Sequence, residues 1–258
     1  MLHPHRQVPR KVAATLILSG FFSLGANFAD AAGGCCCGQS AACAEATPVE
    51  SAAKPSVPLD DKKPLVLFNG KDLAGWEITK FGGEGEVSVK DGPIFLGAGS
   101  DLTGIHTKRD LPKSNFEVTF EAMRVSGSDF FCGFTFPVQK GYLTLIAGGW
   151  GGGLCGVSSI GGYDASENET SSHREFTNKK WYRIRVRVTD ARVKAWIDDE
   201  LIVNHKIDSR KMDVRLEVEL SKPFGFATWQ TAGALRGIEL RKLSDNEVKD
   251  DEKTKTAE

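Results

Sequence analysis

The chain lacks several things that would each have put it in a different class. It has almost no net charge: 33 Lys and Arg stand against 34 Asp and Glu, for a total of −1. Without a basic excess a phosphate backbone finds no electrostatic footing, so nucleic acid is excluded as a partner. After Phe28 there is no further apolar run of membrane length, and no membrane span is expected in the body of the chain. No stretch sustains a 3.6-residue apolar period, which excludes a helical bundle. Cysteine is scarce beyond residue 43, where only Cys132 and Cys155 remain. Both sit in strand-like apolar runs, as a disulfide or as buried free thiols.

The two ends differ from the middle. Residues 1–12 are basic, Val12–Phe28 is apolar, and Ala29-Asp30-Ala31-Ala32 supplies an A-x-A pattern. These are the three parts of a secretory leader, so residues 1–31 are expected to be removed on export, to a periplasmic, extracellular or cell-surface location. Residues 32–63 are small residues, Pro and charge, too poor in apolar groups to offset the entropy of ordering. They read as a flexible linker. Cys35, Cys36, Cys37 and Cys43 crowd it, and Cys35 could carry a lipid anchor, although the Leu usual three residues earlier is missing. The charged tail, residues 244–258, is expected to be mobile and disordered.

Residues 64–243 read as strands throughout. Short runs rich in β-branched and aromatic residues alternate with turn signals such as Asn69-Gly70 and Asp91-Gly92-Pro93. The pattern predicts one all-β domain, a sandwich or jelly roll of about a dozen antiparallel strands. In Trp181–Val188, Tyr182, Ile184, Val186 and Val188 alternate with Arg183, Arg185 and Arg187, giving one buried face and one row of arginines. NFEVTFEAM and DVRLEVEL show the complementary pattern, with Glu117, Glu121, Glu217 and Glu219 outward. Cross-strand ion pairs on one polar sheet face are expected.

The stretch GWGGGLCGVSSIGGYDASENETSS, Gly149–Ser172, holds a G-x-G-x-x-G at Gly151, Gly153 and Gly156. A dinucleotide loop must open a helix, and here an apolar strand-like segment follows, so nucleotide binding is discarded. The second half is acidic. Asp164, Glu167, Asn168 and Glu169 offer the oxygen density that calcium favours, but without the alternation of an EF-hand; calcium stays open, and no other cofactor is expected. A sugar site is the third option. Trp150, Tyr163 and Trp229 offer flat apolar faces, while Asp164, Asn168, Glu169, His173 and Arg174 offer hydrogen bonds. His173 is the best single acid–base candidate, because its ordinary pKa lies near neutrality. Glu217 and Glu219, two apart on an expected strand and ~6.5–7 Å between Cα atoms, are the runner-up carboxylate pair.

LFNGKDLAGWE, Leu67–Glu77, resembles the opening signature of the 3-keto-disaccharide hydrolase domain family. WYRIRVRVTDARVKAWIDDELIV and the closing FGFATWQTAGALRGIELRKL are similar to later family motifs, so the likeness covers roughly residues 64–243. It implies a concanavalin-like β-sandwich, export, and cleavage of glycosides oxidised to a ketone at C3. That ketone acidifies the C2 proton; a base removes it, and the aglycone leaves by elimination. Arg236 matches the family's closing arginine. The family's mid-domain Glu has no counterpart in GYLTLIAGG, which offers only Tyr142 and Thr144. The family's closing His and Gln fall at Trp229 and Ala227. Two readings therefore stand: a carbohydrate-active hydrolase or lyase with its site in the Gly149–Arg174 stretch, Trp229 and Arg236, or a non-catalytic carbohydrate-binding or surface-interaction module.

Overall fold

A computed structural model describes residues 63–253. The expected leader, the linker up to residue 62 and the lipid-anchor position Cys35 lie outside the described residues.

Two antiparallel sheets face each other. The eight-stranded sheet runs β13 (Glu200–Lys206), β12 (Arg192–Ile197), β11 (Trp181–Val188), β6 (Phe116–Ser126), β15 (Ala232–Lys242), β4 (Ile94–Leu96) and β3 (Val87–Val89), with β1 (Leu65–Val66) also paired to β15. The seven-stranded sheet runs β10 (Ser172–His173), β9 (Leu154–Ser158), β8 (Gly141–Gly149), β7 (Cys132–Val138), β14 (Phe224–Trp229), β5 (Leu102–Thr107) and β2 (Glu77–Ile78). The fold is the all-β sandwich expected, with fifteen strands among the described residues.

Alternation on each strand builds the core. From β6 comes Phe120, from β7 Phe134, and from β14 Phe226. Phe120 meets Phe134 edge-on at 5.2 Å and Phe226 at 4.9 Å, while Phe134 stacks on Phe226 at 4.8 Å. Such ring pairs add about 0.5–1.5 kcal/mol each beyond the area they bury. The LFNGKDLAGW stretch is a clasp on this core. Asn69 Oδ1 accepts from the amides of Lys71 and Asp72, turning the chain. Trp76 is then buried against Phe226 at 5.7 Å and donates through its indole N–H to the Leu67 carbonyl. Gly75 has φ +81, and a Cβ there would run into the Arg109 guanidinium, which ties down the Leu67 and Ala74 carbonyls.

The outward face of the eight-stranded sheet carries the ion pairs expected of it, with one change of partner. Arg183 lies opposite Glu121 and Arg187 opposite Glu117. The third row comes from β15, not from DVRLEVEL: Arg236 grips Glu121 with two bonds of 2.7 and 3.1 Å, and Arg241 joins Arg187 on Glu117. Residues Leu216–Ser221 form a 3-10 helix instead of a strand. Both edges of β14 are already taken by β7 and β5, so the chain leading into it finds no ladder to join. It crosses the outside of the seven-stranded sheet, burying only Val218 and Ser221, which share one face at three residues per turn. Leu216 and Leu220, expected inside, are exposed.

The tail also departs from expectation. Asp245–Lys253 is a helix, α1, docked by charge. Glu247 receives Arg187 and Arg241, and Lys194 pairs with the buried Asp251. Cys132 and Cys155 are buried free thiols, both placed opposite Ala147 of β8. Burial raises both, Cys155 to about 11, so neither ionises near neutrality. No described helix is long and apolar enough to cross a membrane.

Candidate functional site

The seven-stranded sheet is apolar on both faces over part of its area. Its inner face carries the main core. On its outer face, Leu102 of β5, Ile146 of β8 and Ala227 of β14 gather with Phe130, Val214 and Val218 into a second cluster. The segment Lys211–Ser221 holds this cluster in place. Its first part pairs with the chain after β9, through Ser159 and Asp213, which exchange both backbone bonds, and through Gly161 and Lys211. Its 3-10 helix then sits against β5 and β14. The approach is so close at Gly225 that a Cβ would lie 2.6 Å from the Ser221 carbonyl oxygen.

Where this cover stops, a cleft of about 260 Å³ opens. Its floor is Leu102, Thr144, Ile146 and Ser158; its walls are Asp129, Phe130, Trp150, Arg215, Glu217, Val218 and Trp229. Trp229 ends β14 and tilts against Phe130 at 6.5 Å between centroids. Trp150 sits in the hairpin joining β8 to β9, with φ +48, a left-handed backbone that disfavours a bulky side chain. Asp129 fixes that hairpin, accepting from the Phe130 amide at 2.7 Å and the Gly151 amide at 3.3 Å. A strained aromatic held beside an opening is a recurrent mark of a functional position. Of the G-x-G-x-x-G glycines, Gly151 and Gly153 lie in the turn of this hairpin and Gly156 in its second strand, β9.

Charge at the cleft is arranged around Arg215. Its guanidinium donates to Asp164 at 2.6 Å and grips Glu217 with bonds of 2.8 and 3.3 Å. Asp164 also accepts from the amide and hydroxyl of Ser166. The Arg215 bonds hold the Glu217 carboxyl below the ordinary carboxylate range. Glu217 is ionised near neutrality and is a weak base.

The other expected site residues do not meet there. Asn168 is buried, and its amide serves its own loop: it donates to the carbonyls of Val157, Tyr163 and Asp164 and accepts from Thr170. Glu169 faces β13, held by Arg210 at 2.5 Å and by His205 at 3.1 Å; the Arg210 bonds drop its pKa to about 2. Arg174 is tied to Asp198 and Glu200 across the β12–β13 turn. His173 is exposed on the edge strand β10, lying over Gly153, where a Cβ would strike its ring. Glu219 pairs with Lys222. Arg236 stands on the other sheet, stacked on Trp181 at 4.2 Å. Tyr163 is exposed next to Asp164. Three of the four side chains considered for calcium are thus engaged within the protein, and among the described residues no three His, Cys, Asp or Glu converge as a metal cage.

Of the residues expected from sequence, Trp150, Trp229 and Glu217 line this cleft and Asp164 braces Arg215. Asp129 and Arg215 were not among them. Asp129 carried a faint signal, as an acidic residue just ahead of an apolar strand. Arg215 carried none, because it read as one more outward residue on a strand.

A 3-keto-alpha-glucoside-1,2-lyase-like domain matches residues 63–243, most of the chain. The chain belongs to this family. It is a carbohydrate-related family, and the match ends just before α1. No curated protein matches the chain. Among solved structures, a protein of unknown function with a galectin-like fold from Bacillus subtilis is similar at 11% identity and TM-score 0.51, over 72% of this chain and 98% of that one. The carbohydrate binding module CBM66 from Bacillus subtilis is similar at 13% identity and TM-score 0.40, over 65% of this chain and 96% of that one. At these identities the galectin-like neighbour shows the sandwich fold alone.

Proposed function

We propose that the cleft on the seven-stranded sheet binds a saccharide and that the domain works as a carbohydrate-recognition module of an exported protein. The observation that carries this is the pairing of two tryptophans, Trp150 and Trp229, with Arg215, Glu217 and Asp129 around one opening. A sugar ring is apolar on its C–H faces and polar at its rim. Flat aromatics take the faces, while a guanidinium donor and carboxylate acceptors take the hydroxyls. The carboxylates there are already held: Glu217 by Arg215, and Asp129 by two amides. That suits fixed acceptors better than proton carriers. Trp229→Ala in the whole protein is expected to abolish saccharide binding, read by calorimetry against a glycan panel, with the circular dichroism spectrum unchanged. Undiminished binding by that variant would end the proposal.

A second reading has one observation in its favour. Arg215 and Glu217 form an ion pair in the cleft of a lyase-like domain. On a glycoside carrying a C3 ketone, Glu217 would take the C2 proton, Arg215 would stabilise the enolate oxygen, and the protonated Glu217 would return that proton to the glycosidic oxygen as the C1–O bond breaks and the aglycone leaves. Incubation with 3-keto-trehalose separates the two. Free sugar release that Glu217→Gln abolishes makes the domain a lyase; affinity without release keeps it a recognition module.

A further inference from the structure

We infer that the cleft selects sugars carrying a free, protonated amine, and that Asp129 is the group that receives it. This rests on the saccharide reading above and names the class of sugar for the same site. Three charged side chains line the cleft: Asp129, Arg215 and Glu217. Arg215 keeps N–H groups for a hydroxyl, but its positive charge is already met by two carboxylates, Glu217 and Asp164. Asp129 is held differently. Its oxygens accept the amides of Phe130 and Gly151, which bring dipoles and no full charge, and among the described residues it forms no ion pair. The buried Arg124 reaches the β8–β9 hairpin through the Gly152 carbonyl, and its other donors go to Asn178 and the Phe176 carbonyl. The lining therefore carries one negative charge without a cation. A carboxylate has about four lone-pair sites, so with one amide on each oxygen Asp129 still has room for a donor on both.

The aromatic residues of the cleft are tied to the same carboxylate. Gly151, whose amide Asp129 holds, directly follows Trp150. Phe130, which follows Asp129, accepts the Trp229 amide on its carbonyl at 3.0 Å and tilts its ring against Trp229. Asp129 is thus bonded into the segments of both tryptophans that line the opening. The face of an indole attracts a cation lying within about 6 Å of its centroid. A carboxylate beside it adds charge-assisted hydrogen bonds. An ammonium group gains from both. A hydroxyl in its place brings Asp129 no charge, an acetylated amine offers one neutral N–H, and a uronate sets a second negative charge next to the first. Pockets enclosing a whole drug-sized ligand run to about 300–1,000 Å³. At about 260 Å³ the cleft falls below that range and takes a single ring, so the amine belongs to the ring that the tryptophans hold.

The test is calorimetry on the whole chain with methyl β-D-glucosaminide, methyl N-acetyl-β-D-glucosaminide, methyl β-D-glucoside and cyclohexylamine, both amines protonated, at about 0.01 M and 1 M salt. The expected result at low salt is a glucosaminide bound ~10-fold tighter than the glucoside, about 1.4 kcal/mol. The N-acetyl sugar binds no tighter than the glucoside, cyclohexylamine binds more weakly than the glucosaminide, and high salt reduces the amine's advantage. Asp129→Asn, whose amide oxygen can still accept from Phe130, is expected to bring the ratio of the two affinities to about one. Equal affinities in the unaltered chain, an amine advantage that survives in the variant, or cyclohexylamine bound as tightly as the glucosaminide overturns the inference. Should the variant lose the glucoside altogether, the unaltered chain decides, and an advantage that high salt leaves intact overturns it. No binding of any of the three sugars by the unaltered chain sinks the underlying saccharide reading instead.

Discussion

Asn168 shows how much one buried side chain can organise. Its amide N–H groups hold three carbonyls, and its oxygen takes the amide and hydroxyl of Thr170. Asp164, which braces Arg215, hangs from the same turn, since the Asn168 side-chain amide donates to the Asp164 carbonyl at 2.7 Å. Asn168→Ala removes all five of those side-chain bonds. The expected loss is about 1–3 kcal/mol in a urea titration, together with weaker saccharide binding, because Asp164 no longer fixes Arg215. From sequence, Asn168 looked like a ligand contact because a polar residue in an acidic stretch carries no mark of which way its amide turns. Trp150 and Trp229 were legible for the opposite reason: a ring that size has few places to be other than a core or a platform. Arg215 and Asp129 become neighbours of those rings only through pairings between distant segments.

At the scale of elements, alternation was a good guide where one face is buried and the other wet. Trp181–Val188 and Phe116–Ser126 fall in register as their patterns implied, arginine opposite glutamate. β7 is buried along its whole length yet still alternates: Cys132, Phe134, Phe136 and Val138 enter the main core, while Gly133, Thr135 and Pro137 face the other way. Leu216–Ser221 alternates and is not a strand, since alternation states which residues are apolar and not whether a sheet edge is free to receive them. Composition misled at α1 in a similar way. A segment with one branched apolar residue has no hydrophobic reason to dock, yet Glu247 and Asp251 find the cations left on the sheet. This docking is acid-sensitive. Hydrogen bonds from Arg241 hold Glu247 at about 2, below its ordinary 4.5. A carboxylate depressed in the folded state stabilises it fully above the unfolded value and progressively less as the pH falls towards the folded one. Release of α1 is therefore expected as the pH drops from about 4.5 to 2, seen as faster amide exchange in 245–253 before the sandwich melts. Glu247→Gln is expected to show fast exchange already at pH 7. Protection there that does not change with pH would show that the ion pairs do not hold the helix.

For the molecule as a whole, the family signature and the site are separate things. LFNGKDLAGW closes the core around Trp76, and the cleft lies on the far side of the seven-stranded sheet from that core. The most recognisable stretch of the sequence thus reports the sandwich, which is why the fold was legible when the site was only half so. The cleft is assembled from four separate stretches: the turn before β7 with Asp129, the β8–β9 hairpin with Trp150, the helix with Arg215 and Glu217, and the end of β14 with Trp229. None is bonded to all the others. A sugar that touches all four acts as a removable crosslink, one that exists only while the chain is folded. The melting temperature should then climb with the logarithm of ligand concentration, by the equivalent of about 2.7 kcal/mol at a hundredfold excess over Kd. Thermal shift across a glycan library would thus read the molecule's own stability as the signal of its ligand.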